Sequence, residues 1–147
     1  MNCVEQNFGI IGNVVAFGLE ELDFTFSPYI PHRVLRSGEI NEMSDGTLIP
    51  MKAKTAKASE VAVRGRGGDG YEVNLSWQVD RPSAEDLNVL EDLKRNAKHL
   101  KINGFGDAVA YVCASEDHYR FDYLRNGEVV NCTLVVHNIN GIQQYIP

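Results

Sequence analysis

The chain has 147 residues, enough for one domain with a buried core, and its 44% apolar and 23% charged content is that of a globular protein rather than a disordered one. A formal charge of −6 argues against a general nucleic-acid binder, which carries a basic excess. Cys3, Cys113 and Cys132 have neither the number nor the spacing of a secreted disulfide scaffold. Met1–Gly12 lacks the basic segment and long apolar run of a signal peptide, and no stretch approaches the roughly 20 apolar residues that span a bilayer. The expectation is a single soluble domain, residues 1–147, made in a reducing cytoplasm. The sequons Asn74-Leu75-Ser76 and Asn131-Cys132-Thr133 are then chance matches.

Met1 to Gln6 reads as a lead-in. Phe8 to Val15 is apolar and β-branched and is expected as one strand. Leu22, Phe24 and Phe26 alternate with polar neighbours in a second strand, which Pro28 and Pro31 end. Residues 33–59 fit no regular pattern well. Arg33–Arg36 and Thr47–Ile49 read as two strands around a polar turn, or the whole stretch reads as a long loop. An extended arm or long hairpin that reaches another subunit is the favoured form, and a solvated loop carrying Lys52, Lys54 and Lys57 is the alternative.

The stretch Glu60 to Ile102 organises the chain. Tyr71, Val73, Leu75, Trp77 and Val79 share one parity against Glu72, Asn74, Ser76 and Gln78, the pattern of a strand with one wet and one buried face. Gly65, Gly67, Gly68 and Gly70 lie between it and Val61–Val63, so the two strands form an antiparallel hairpin. After Pro82, Ser83 is placed to cap a helix, with Asp86 three residues on. Leu87, Leu90, Leu93, Ala97 and Leu100 make its apolar stripe, so the helix is expected over about Ala84–Leu100. Acidic Glu85 and Asp86 suit its positive end, and Lys94, Arg95, Lys98 and His99 its negative end. Asn103 to Asp107 turns the chain, and Ala108–Ala114, His118–Leu124 and Glu128–Ile139 read as strands, with Asn126-Gly127 as a hairpin turn. Ile142 to Pro147 trails off. The fold class is therefore α+β: a mainly antiparallel β-sandwich or barrel with one amphipathic helix packed on it.

Motifs for chemistry fail on geometry. Gly65-x-Gly67-x-x-Gly70 has dinucleotide spacing, but a strand follows where a helix is needed to hold the pyrophosphate. Cys113-x4-His118 and Cys132-x4-His137 look like metal pairs, yet residues five apart on a strand point to opposite faces. Ser115-Glu116-Asp117-His118 holds triad residue types as sequence neighbours, which cannot adopt triad geometry. No catalytic residue, metal or cofactor is expected. Trp77 and Tyr71 read as core anchors. Tyr119, Phe121 and Tyr123 face away from Arg120, Asp122 and Leu124 and fit a partner surface as well as a buried face. The candidate interface residues are Arg36, Lys52, Lys54, Lys57, Arg64, Arg66, Tyr119, Phe121 and Tyr123.

Over Glu60–Ile139 the order resembles small structural proteins of tailed-phage tails and related contractile injection machines. The resemblance lies in the glycine-tipped hairpin Val61–Tyr71 and in Trp77-Gln78-Val79-Asp80-Arg81-Pro82-Ser83 leading into a leucine-striped helix, with further strands beyond. It implies a helix on an antiparallel sandwich, arms sent to neighbours, and a homo-oligomeric ring. It leaves tail tube, baseplate, tail completion and head joining open. The function it implies is a non-enzymatic virion component, made in the host cytoplasm, whose partners are its own copies and other virion proteins, with no membrane and no sequence-specific nucleic acid. A stand-alone domain binding a peptide or small ligand is the other reading, and a hydrolase with its site assembled across strands a third.

Overall fold

In a computed structural model of the chain, residues 5–26, 30, 32–65, 68–105 and 108–147 are described. Pro28, Pro31 and Arg66, which the sequence singles out, lie outside them, as do residues 1–4 of the lead-in and residues 106–107 of the expected turn. Numbered in chain order, five strands make a first sheet in the order β1 (Glu5–Ile10), β7 (Lys57–Gly65), β8 (Gly68–Asp80), β12 (Val129–Asn138), β11 (Tyr119–Asn126), antiparallel throughout. Six make a second sheet in the order β4 (Val34–Arg36), β13 (Ile142–Ile146), β10 (Ala108–Val112), β9 (Lys98–Phe105), β2 (Asn13–Gly18), β6 (Thr47–Leu48). Only the β13–β4 pair in it is parallel. A short ladder of β3 (Leu22–Phe24) and β5 (Ile40–Glu42) completes the described strands, and α1 (Ala84–Arg95) is the one α-helix among the described residues.

The α+β class follows from how these faces are used. Val73, Leu75, Trp77 and Val79 of β8 and Val130, Cys132, Leu134 and Val136 of β12 are buried together with Val14, Leu100, Ile102, Ala110 and Val112 of the second sheet. Two inner faces thus share one core, with Leu90 and Leu93 of α1 joined to it. A second, smaller cluster of Phe17, Leu22, Leu35 and Tyr111 packs with Phe24 and Ile40 of the short ladder. The hairpin β7–β8 pairs from Lys57↔Ser76 to Gly65↔Gly68, in the region the alternation marks.

Four expectations need correction. The apolar stretch Phe8–Val15 is two strands in different sheets, because the chain changes sheet at Ile11-Gly12. There the Ile11 N–H donates to Ala56 O and the Gly12 N–H to Asn103 O, each at 3.0 Å. A Cβ on Gly12 would stand 2.7 Å from that Asn103 oxygen, so the corner closes only with glycine. Residues 33–59 form neither a projecting arm nor a hairpin. β4 joins β13, β5 joins β3 and β6 joins β2, while Leu35, Ile49, Ala56 and Ala58 are buried.

The helix stops at Arg95 rather than near Leu100. Asn96 is extended, its backbone N–H donates to Asp92 O, and Leu100 enters the sandwich core from β9. Lys98 and His99 therefore belong to a strand, and Lys98 pairs with Asp92 at 2.9 Å. Finally, Ile142–Ile146 is a central strand of the second sheet, held between β10 and β4.

Candidate functional site

The edge of the first sheet, where α1 packs on β11, gathers the aromatic row singled out in the sequence. Ser83 starts this helix with a complete capping box: the Asp86 N–H donates to Ser83 Oγ and the Ser83 N–H to Asp86 Oδ2, each at 3.1 Å. From β11, the Tyr119 hydroxyl donates to Leu93 O at 2.7 Å and the Tyr123 hydroxyl donates to the Glu91 carboxylate. Phe121 is buried and lies stacked against Trp77, with ring centroids 5.6 Å apart. Tyr119 and Tyr123 therefore tie the strand to the helix, and Phe121 is part of the core beside Trp77 rather than of a surface. An alternating strand puts one parity inward, and the helix covers that parity. The outward parity of β11 is Arg120, Asp122 and Leu124, all exposed. Arg120 and Asp122 form an ion pair of 3.2 Å.

The basic candidates do not converge. Lys52, Lys54 and Lys57 are exposed around a turn that completes the ladder of β8 past the start of β7. In it the Lys52 N–H donates to Gln78 O at 2.6 Å, and Thr55 Oγ1 accepts from the Gln78 N–H at 3.1 Å. Arg64 lies at the other end of β7, seven residues from Lys57, or roughly 23 Å along an extended strand. Arg36 is exposed on β4 of the second sheet, and Arg66 is outside the described residues.

Two buried polar centres escaped the sequence reading. Glu60, on β7, accepts Arg33 Nη1 at 2.7 Å, Arg33 Nη2 at 2.6 Å and the Ile142 N–H at 2.8 Å. Arg33 also donates to Asn140 O at 2.6 Å and lies 4.1 Å over the Tyr71 ring. His99, on β9, accepts the Ala114 N–H at Nδ1 (2.9 Å), which leaves Nε2 to donate to Leu19 O (3.3 Å). Burial holds its pKa below the ordinary histidine value, and the Leu19 carbonyl opposes that only in part. In one-dimensional sequence both centres look like isolated polar residues, and nothing nearby marks their distant partners.

A third cluster sits on the outer face of the second sheet. Tyr111 donates to Glu42 at 3.0 Å, and Lys101 meets the same carboxylate oxygen at 2.6 Å. Burial first, and the Glu42 carboxylate second, push the Tyr111 phenol well above its ordinary pKa.

These groups tie strands to turns. Burial pushes the Cys113 thiol up to about 11 and the Cys132 thiol up to about 12, away from the thiolate a nucleophile needs. Among the described residues no three His, Cys, Asp or Glu side chains gather as metal ligands, and no helix is long and apolar enough to cross a membrane. Comparison of the chain with family models, with curated proteins and with solved structures finds no match.

Proposed function

We propose that the chain is a non-enzymatic structural subunit of a phage virion, in a tail, tail tube, baseplate or head–tail connection. It assembles with copies of itself into a closed ring and with other virion proteins. One observation carries this reading. The β7–β8 ladder runs on through Val63↔Gly70, Arg64↔Asp69 and Gly65↔Gly68, while β12 stops pairing with β8 at Asn138↔Tyr71. On its β8 side the hairpin end thus extends past its own sheet. Among the described residues that end is a two-stranded ribbon, which by itself is marginal in water, and a neighbouring subunit offers it a third strand or a covering face. The glycine-tipped hairpin leading into a helix is also the order that resembles tail proteins.

Size-exclusion chromatography with light scattering, followed by electron microscopy of the eluted peak, tests the proposal. Rings or defined oligomers are expected, and shortening the hairpin by its last two pairs should abolish them while the thermal unfolding transition persists. A protein that stays monomeric at high concentration overturns the reading.

A further inference from the structure

The outer edge of the first sheet has a symmetry of its own. Every residue of β11 pairs with β12 on one side, and no described strand stands on the other, so a row of backbone donors and acceptors faces outward. From the 3₁₀ turn into that edge the sequence reads Asp117, His118, then on the strand Tyr119, Arg120, Phe121, Asp122, Tyr123, Leu124, Arg125. About Phe121 it is nearly a palindrome in side-chain type, with His118 and Leu124 the unmatched pair. Tyr119 answers Tyr123, Arg120 answers Asp122, and Asp117, in the 3₁₀ turn just before the strand, answers Arg125. The aromatics match themselves and the charges match their opposites.

We infer that β11 is the docking edge for β11 of a second copy, antiparallel across a two-fold axis at Phe121, which joins two five-stranded sheets into one of ten. This rests on the assembly reading above and adds a specific contact to it. In an isologous pair each residue meets the partner whose position mirrors its own across the axis. Centred on Phe121, Arg120 faces the second copy's Asp122 and Asp122 faces its Arg120. Centring the axis on Asp122 would instead place that carboxylate against itself, so the charges select the register as well as the partner.

The placement suits this role. Arg120 and Asp122 have side chains 74% and 68% exposed, and Leu124 is 69% exposed beside them. Their own ion pair is a solvent-facing one that can be shared across the seam without opening the core. Edge strands are commonly guarded by charges that repel a second copy. The alternation here does the reverse in one register. A two-fold contact of this kind, added to a head-to-tail ring contact, gives two rings set back to back.

The test uses the full chain and three preparations: R120D, D122R, and an equal mixture of the two. Both sites are exposed, so the unfolding transition should be retained, and light scattering or sedimentation reads association. Each variant alone sets like charges across the seam and should weaken association about tenfold or more. The mixture should restore it, because the edge of one variant is then acidic at both positions and faces an edge that is basic at both. The pair within one chain is broken in both variants, so only an intermolecular contact predicts rescue on mixing. If the single variants associate as the parent does, or if mixing restores nothing, this contact is wrong while the assembly reading stands. If the parent itself never self-associates, both fall.

Discussion

Arg33 and Glu60 meet prong to prong, and their pair closes the seam between the two sheets. Glu60 projects from β7 of the first sheet and is 2% exposed, while its carboxylate also receives the N–H of Ile142 at the start of β13 in the second. Arg33 is 38% exposed, so the guanidinium stays partly hydrated while the carboxylate does not. The pair is bidentate and charge-assisted, the strongest form such a contact takes. Removing one member of a buried pair costs about 3–5 kcal/mol, and the partial exposure of Arg33 places Glu60→Ala near the lower end. A loss of about 3 kcal/mol in urea unfolding, with the slope unchanged, is the expected result.

Gly141 should be nearly as intolerant. Its φ is +66°, and a Cβ there would collide with Glu60 Oε1 and Arg33 Nη1. Gly141→Ala therefore strains the turn between β12 and β13 and pushes the ion pair apart at once. Paired with Glu60→Ala in a double-mutant cycle, the two losses should fall well short of additive, since both act on one contact.

Acid should weaken the fold through His99. The folded ring is held neutral, with its pKa below the ordinary value, whereas the unfolded chain titrates near about 6.5. As pH falls through about 6.5 the unfolded chain binds a proton that the folded ring does not, so stability present above that pH is lost toward the folded pKa. Protonation of Nδ1 would also set a second donor against the Ala114 N–H. Urea midpoints measured between neutral and mildly acidic pH should decline across this window, and His99→Gln should flatten that part of the curve.

The helix is fastened by three separable contacts. Ser83→Ala removes the cap and should cost about 1 kcal/mol. Tyr119→Phe deletes the bond to Leu93 O, again worth about 1 kcal/mol. Tyr123→Phe deletes the bond to Glu91, and the loss should be the smallest of the three because water takes the hydroxyl's place at that carboxylate. Tyr123→Phe should also raise the Glu91 pKa, since the tyrosine hydroxyl is the first cause of its lowering. Carbon-detected NMR titration of the Glu91 carboxyl reads that directly.

Neither Cys113, just past the end of β10, nor Cys132, in β12, should be reactive in the folded state. Burial raises Cys113 to about 11 and Cys132 to about 12, so near neutral pH almost none of either is thiolate. Peptide mapping after alkylation should find both largely unmodified until denaturant is added. Fast labelling of either in native buffer would mean that the fold opens locally around it.

Local patterns were legible wherever the contacts that decide the structure are close in sequence. The alternation of Tyr71–Val79, the antiparallel pairing of β7 with β8 and the Ser83–Asp86 box all involve neighbours close in sequence, and each formed in the expected region. The helix end was misread because Leu100 continues the apolar stripe at helical spacing. Its burial against β2 and β10 requires it in a strand instead, and tertiary packing outweighs a propensity worth tenths of a kcal/mol. The same competition turned Tyr119, Phe121 and Tyr123 inward, since alternation says that a strand has two faces but not which one a helix will cover.

By itself, then, the sequence determined a β-rich chain with a capped helix and a glycine-tipped hairpin, because short-range backbone preference and side-chain parity suffice for those. Only the tertiary structure decided that β13 pairs with β4 across more than a hundred residues, that Gly12 turns the chain from one sheet into the other, and that Arg33 finds Glu60. Such pairings depend on which distant groups lose their water together. The cost of burying a carboxylate or a backbone N–H without a partner selects the arrangement, and that cost exists only once the chain has folded.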